Sequence, residues 1–212
     1  MSENKFLTLA RTAREEGNSE DAKIYYNKVR EENPESGEAK YFYAFYALHE
    51  GTNGELGRRF SNLCVVVNSA IKLVKDSSDS IEDQLAAVKE IVESFVPETW
   101  SENRYMNHKN HETKVGDKYV TVFEYNVITG CGKEGMKTLK ALGDLVDSLY
   151  GEYEEGKKIA AIAWQEYVLL SQKWYAWAVK GDAELYAEKI KKVIPSYEMP
   201  KKAGCISLAD KR

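Results

Sequence analysis

Proline is scarce in this chain: four residues in 212, at positions 34, 97, 195 and 200. Long stretches therefore lack the residue that most strongly interrupts a helix. Cysteine is equally thin. Cys64, Cys131 and Cys205 are odd in number and far apart, which argues against a disulfide framework and suits free thiols in a reducing compartment. No CxxC pair occurs, so paired thiolates of the zinc-ribbon kind are missing. No apolar run approaches the roughly 18 residues that a spanning helix needs. Residues 1–4 lead directly into an amphipathic stretch rather than the basic-then-apolar pattern of a secretory signal. A cytoplasmic protein is expected. Neither sign of charge dominates: 30 Lys and Arg face 34 Asp and Glu, for a net charge of −4. Dense basic patches are what nucleic acid requires, so neither nucleic acid nor a membrane is an expected partner.

What the chain has in quantity is aromatic and helical pattern. Fourteen Tyr and four Trp suggest well-filled helix interfaces. Apolar spacing predicts helices over residues 5–16 and 19–32, with Ser19 as N-cap, and a third over 37–50 that is aromatic on all sides from Tyr41 to Tyr46. Phe60, Leu63, Cys64, Val67, Ile71 and Val74 form one stripe up to residue 75. Ser80 caps a helix carrying Ile81, Leu85, Val88, Val92 and Phe95, with Pro97 near its end or at a new first turn. Residues 98–116 are polar and read as a fraying helix or a long loop. Residues 119–129 carry both β-branched residues and a helical face. Helix is the expectation, because no partner strand is evident elsewhere. Residues 130–135 read as a turn. Met136, Leu139, Gly143, Val146, Leu149 and Tyr153 then share a face, which Gly156 interrupts. Ile159, Ala163, Tyr167, Leu170, Trp174 and Trp177 continue the pattern, and a last helix spans 183–194.

The first 34 residues also fit a repeat frame. With Pro34 at the thirty-second position, Leu9 and Ala10 fall at seven and eight, Gly17 at fifteen, Ala22 at twenty, Tyr26 at twenty-four and Val29 at twenty-seven. Small Ala10 and Ala22 permit close helix approach, Gly17 the turn, and Pro34 the stop. Ala44 and Gly51 continue the frame, which then loosens at Leu56 although Phe60 keeps the aromatic position. This resembles a tetratricopeptide (TPR) repeat. The order of helices, with the closing segment Ala187 to Lys192 and then Pro195-Ser196-Tyr197, is similar to a group of uncharacterised bacterial TPR-like proteins. Many of those carry an N-terminal zinc ribbon and a Cys-containing C-terminal module, both missing from this sequence. The resemblance implies an all-α fold of antiparallel helix pairs continuing into longer helices, and a non-enzymatic role. That role is to hold a peptide or partner helix in a groove between helix pairs. The expected organisation is one domain over residues 1–196, with a subdivision between 96 and 97, and a basic flexible tail over 197–212.

Several constellations have the residue types of a chemical site. Gly130-Cys131-Gly132-Lys133-Glu134-Gly135 matches GxGxxG after a β-branched run, the local context of a dinucleotide turn. The second strand of a Rossmann unit is missing, and a phosphate loop fails because Glu134 follows Lys133 and Val127 stands where glycine is needed. The competing reading is an enzyme using this turn as a cofactor site, with Cys131 activated near a helix N-terminus. His108 and His111, three apart on a helix, could face a metal with Glu112, but no fourth ligand is near. Cys64 lies on an apolar stripe, and His49 is isolated at a helix end. No catalytic, cofactor or metal residue is therefore assigned. Tyr41, Tyr43 and Tyr46, with Trp164 and Tyr175 off the apolar stripe, are the candidate partner-binding residues, since Tyr and Trp dominate binding hot spots. A self-associating homo-oligomer is the third reading, because terminal repeats need polar caps.

Overall fold

The computed structural model describes residues 5–50, 55–107, 110–115, 118–123, 125–173 and 182–201, and side chains for these except 100–131 and 173. The chain divides into two compact units, Met1–Thr138 and Leu139–Arg212. The described residues contain eight helices and one two-stranded sheet. Among the residues whose side chains are described, every buried one of the core lies on a helix, and the fold class is all-α.

In the first unit, α1 (Lys5–Glu15) packs on α2 (Ser19–Glu32), α2 on α3 (Gly37–Leu48), and α3 on α4 (Leu56–Asp76). Helix α5 (Ile81–Asn107) meets both α3 and α4. Ala10, Ala22, Tyr26 and Val29 are all essentially inaccessible, which is why the small residues are needed. Gly17 makes the α1–α2 turn at φ +73°, a conformation that costs any residue with a Cβ. The cap of α2 is Asn18 rather than Ser19: its side chain accepts from the Asp21 amide at 3.2 Å. Tyr41, Phe42 and Tyr46 of α3 are buried, and the Tyr26 and Phe42 rings stack at 5.1 Å. The stripe from Phe60 to Val74 is buried at every predicted position of α4. Each such side chain contributes roughly 1.5–3 kcal/mol relative to exposure.

The structure departs from several expectations beyond this point. Helix α5 does not end at Pro97 but runs through it to Asn107. Pro97 sits on the exposed side, where the lost backbone hydrogen bond can be replaced by water. Residues 98–116 therefore begin as helix and continue into β1 (Asn110–Val115). Part of the 119–129 segment is strand, because it does have a partner: β2 (Lys118–Phe123) pairs antiparallel with β1, in a register that sets His111 opposite Val122 and Thr113 opposite Val120. Residues 130–135 are not a turn but lie inside α6 (Tyr125–Tyr150).

The second unit comprises α6 from Leu139 on, α7 (Glu154–Lys173) and α8 (Ala183–Val193). The break before α7 falls at residues 151–153, just ahead of Gly156. Leu139, Leu142, Val146 and Tyr150 of α6 and Ile159, Ala163, Val168 and Leu170 of α7 form the core, closed by Tyr186, Ala187 and Ile190 of α8. The boundary between units lies within α6, not between residues 96 and 97.

Candidate functional site

Helix α2 shows the core Ala22, Tyr26 and Val29, and on another face Glu20, Lys23, Ile24, Asn27 and Glu31 recur at helical spacing. With Tyr43 and Glu50 from the α3 side, that second face lines an open groove of about 480 Å³. Its apolar contacts come from Ile24, which is 46% exposed, and from half-buried Tyr43. The Arg30 guanidinium lies 4.0 Å from the Tyr43 ring centroid, close enough for a cation–π contact. Arg30 Nη1 is buried and has no hydrogen-bond partner among the described residues. Lys23 pairs with Glu50, and Asn27 donates to Glu31 at 2.8 Å. The groove thus offers an apolar anchor point between charges of both signs.

Of the residues expected to bind a partner that are described, Tyr43 alone lines this groove. Tyr41 and Tyr46 are core residues at 0% and 8% exposure. An aromatic helix packed against α2, α4 and α5 has little ring surface left over. Trp164 is also buried, because Gly143 opposite it leaves room: a Cβ there would lie 2.4 Å from the indole. Tyr175, Trp174 and Trp177 lie outside the described residues, as do His108 and Cys205. Ile24 and Arg30 were not anticipated. Ile24 is legible in retrospect as the large apolar residue of α2 that is off the Ala22–Tyr26–Val29 stripe.

The remaining polar clusters join helices. Arg11 of α1 grips buried Glu38 of α3 through Nε at 3.0 Å and Nη2 at 2.6 Å, and Tyr26 donates to the same carboxylate at 3.1 Å. Arg14 reaches Glu90 of α5 at 2.5 Å and covers Phe42 at 4.3 Å. In the second unit Lys140 and Tyr167 donate to Asp182 at 2.5 and 2.6 Å, and Tyr186 and Lys189 donate to Asp144 at 2.6 and 2.9 Å. Burial alone would raise the Asp182 carboxyl, but the Lys140 and Tyr167 hydrogen bonds outweigh it and hold it below the usual range. Burial, then the aspartate contacts, pushes the Tyr167 and Tyr186 hydroxyls up, so both stay protonated donors. Asp182, Tyr167 and Tyr186 thus hold one protonation state around neutrality, which suits joints better than proton transfer. Glu166 differs: burial raises it to about 7, and its Oε1 has no hydrogen-bond partner among the described residues.

The other chemical candidates resolve as follows. Cys64 is buried on α4. His49 is the C-cap of α3 and lies 3.3 Å from Glu98. His111 and Glu112 are neighbours on β1 rather than on a helix, so the three-residue helical spacing to His108 does not apply. Among the described residues no three His, Cys, Asp or Glu stand together as a metal site, and no helix is long and apolar enough to cross a membrane. Cys131 is the seventh residue of α6 instead of preceding its N-terminus. Gly135 serves packing: a Cβ there would lie 3.2 Å from the Phe60 ring of α4, and neighbouring Glu134 accepts from Ser61 at 2.7 Å. Backbone amides inside a helix are engaged with the preceding turn and cannot cradle a pyrophosphate. Comparison with protein-family models, with curated proteins and with solved structures finds no match for the chain.

Proposed function

We propose that the chain is a non-enzymatic partner-binding module built on TPR-like helix pairs. It holds a peptide or a partner helix in the groove between α2 and α3. The observation that carries this is the groove itself: exposed Ile24 beside Tyr43, with Arg30 stacked on the ring and glutamates on either side. A suitable ligand places one apolar or aromatic side chain on Ile24 and Tyr43, and flanks it with groups of both signs that meet Glu20, Glu31 and the lysines. Aromatic and arginine anchors of this kind supply most of the affinity at small interfaces.

Peptides selected from a random library on the purified protein test the proposal, with affinities read by calorimetry. Ile24→Asp and Tyr43→Ala should each weaken binding about tenfold or more, the equivalent of one lost contact of ~1.4 kcal/mol. Val65→Asp, at an exposed position of α4 outside the groove lining, should bind as the parent does. Selected peptides that ignore both groove substitutions would contradict the assignment.

A further inference from the structure

Both signs of charge line the groove between α2 and α3, but they are not equally open to a ligand. Lys23, on the α3 flank, is paired with Glu50 and lies 5.4 Å from the Tyr43 ring centroid. Lys28, on the other flank, is held over the rings of Phe6 and Tyr25, at 5.0 and 5.7 Å. The carboxylates between them are less engaged. Glu31 accepts from the neutral amide of Asn27 and has no cationic partner among the described residues. Glu20 has neither a hydrogen bond nor an ion pair among them. Both glutamates are exposed.

Their placement is regular. Glu20, Ile24, Asn27 and Glu31 follow one another at intervals of four, three and four along α2. They therefore share a wedge of roughly 60° on its outer face, with the two carboxylates about 16 Å apart along the axis. The row reads acid, apolar, amide, acid. Eleven residues bring any helix back nearly to the same face after three turns, so a second helix laid along the row can match it at every position. An acidic segment would bring like charge against two carboxylates that have no counter-ion, which discriminates against it. We propose that the groove takes a basic amphipathic helix. Its Lys or Arg side chains stand eleven residues apart, opposite Glu20 and Glu31, and a large apolar side chain four or seven residues into that interval rests on Ile24 and Tyr43. This inference rests on the groove as a partner site and adds the class of partner.

Three alanine-based helical peptides test it by calorimetry on the full chain. Each has leucine at the fourth and seventh residues after a first charged position, and Lys, Gln or Glu at that position and eleven residues on. The Lys peptide should bind about threefold or more tighter than the Gln peptide, and the Glu peptide weakest, the scale of two partly exposed ion pairs. Added salt should narrow the differences. Glu20→Lys/Glu31→Lys should invert the order, and the milder Glu20→Gln/Glu31→Gln should level it, each with parental helix content. A proline between the two leucines of the Lys peptide should abolish binding, because it breaks the helix. A Lys peptide that fails to outbind the other two overturns the proposal. So does an order unmoved by both double variants, or a proline peptide that binds as well as its parent. In those cases the groove itself still stands if library-selected peptides lose affinity on Ile24→Asp; selected peptides that ignore Ile24→Asp overturn both.

Discussion

Single residues decide where the helices may touch. Ala22 of α2 is fully buried, so a large ring there must displace its neighbours. Ala22→Trp should therefore lower stability by about 1–3 kcal/mol or more in chemical denaturation, and an unchanged midpoint would place Ala22 at a surface. Gly143 and Trp164 are complementary in the same sense. Trp164 is off the main stripe of α7, the pattern of a partner-binding residue, yet it is buried, with Gly143 of α6 over it and Tyr186 of α8 against it. Glu166 gives a titration test. Burial raises its carboxyl from 4.5 to about 7, so the folded state holds the proton more tightly than the unfolded chain. Its favourable contribution is complete below pH 4.5 and is lost as pH climbs through 7. Glu166→Gln should match the parent in acid and exceed it in stability above pH 7. Parallel stability curves across that range would show that Glu166 is solvated.

Elements follow from pattern where the pattern is single-valued. The stripe from Phe60 to Val74 belongs to α4 at every position, because a 3.6-residue period over about four turns has no competing reading. Residues 118–123 show the opposite case. Val and Tyr at these spacings satisfy a short helix face and a strand equally, and the decision rests on a partner some eight residues upstream. One signal is in the sequence: Gly-Asp at 116–117 directly before the β-prone run Tyr119–Phe123 is hairpin-type turn chemistry, although the polar run upstream gives no matching strand signal. The glycines of 130–135 misled for a related reason. Glycine marks turns, but it also marks close helix contacts, and Gly135 against Phe60 is the second kind. The candidate groove was half legible: Tyr43 by type, Ile24 only by its position off the core face. Helix α8 is held by Asp144 and Asp182 as well as by its apolar face. Asp144→Asn with Asp182→Asn should speed amide exchange across residues 183–193 by weakening charge-assisted bonds to Lys140 and Lys189. Because Asp182 is held below its ordinary value, the same loosening in the parent should appear only as pH falls through the acid range. Unchanged exchange in the double variant would assign the hold to Tyr186, Ala187 and Ile190 alone.

At the scale of the whole molecule, the described residues form packed helices and one hairpin with ion pairs joining helices, and the groove is lined by residues of α2 together with Tyr43 and Glu50. Neither NAD nor ATP should raise the melting temperature. A ligand at about 100 times its dissociation constant contributes roughly 2.7 kcal/mol, which for a chain of this size is several degrees at ~2–4 °C per kcal/mol. A reproducible dinucleotide shift, abolished by Gly132→Val, would restore the cofactor reading. Hydrogen exchange on the full chain, with and without a selected peptide, reads occupancy of the groove residue by residue. Binding between α2 and α3 predicts that protection gained on adding peptide concentrates in residues 19–48, and that Ile24→Asp removes it. Protection that appears instead only in α6, α7 or α8, and survives Ile24→Asp, would contradict the account.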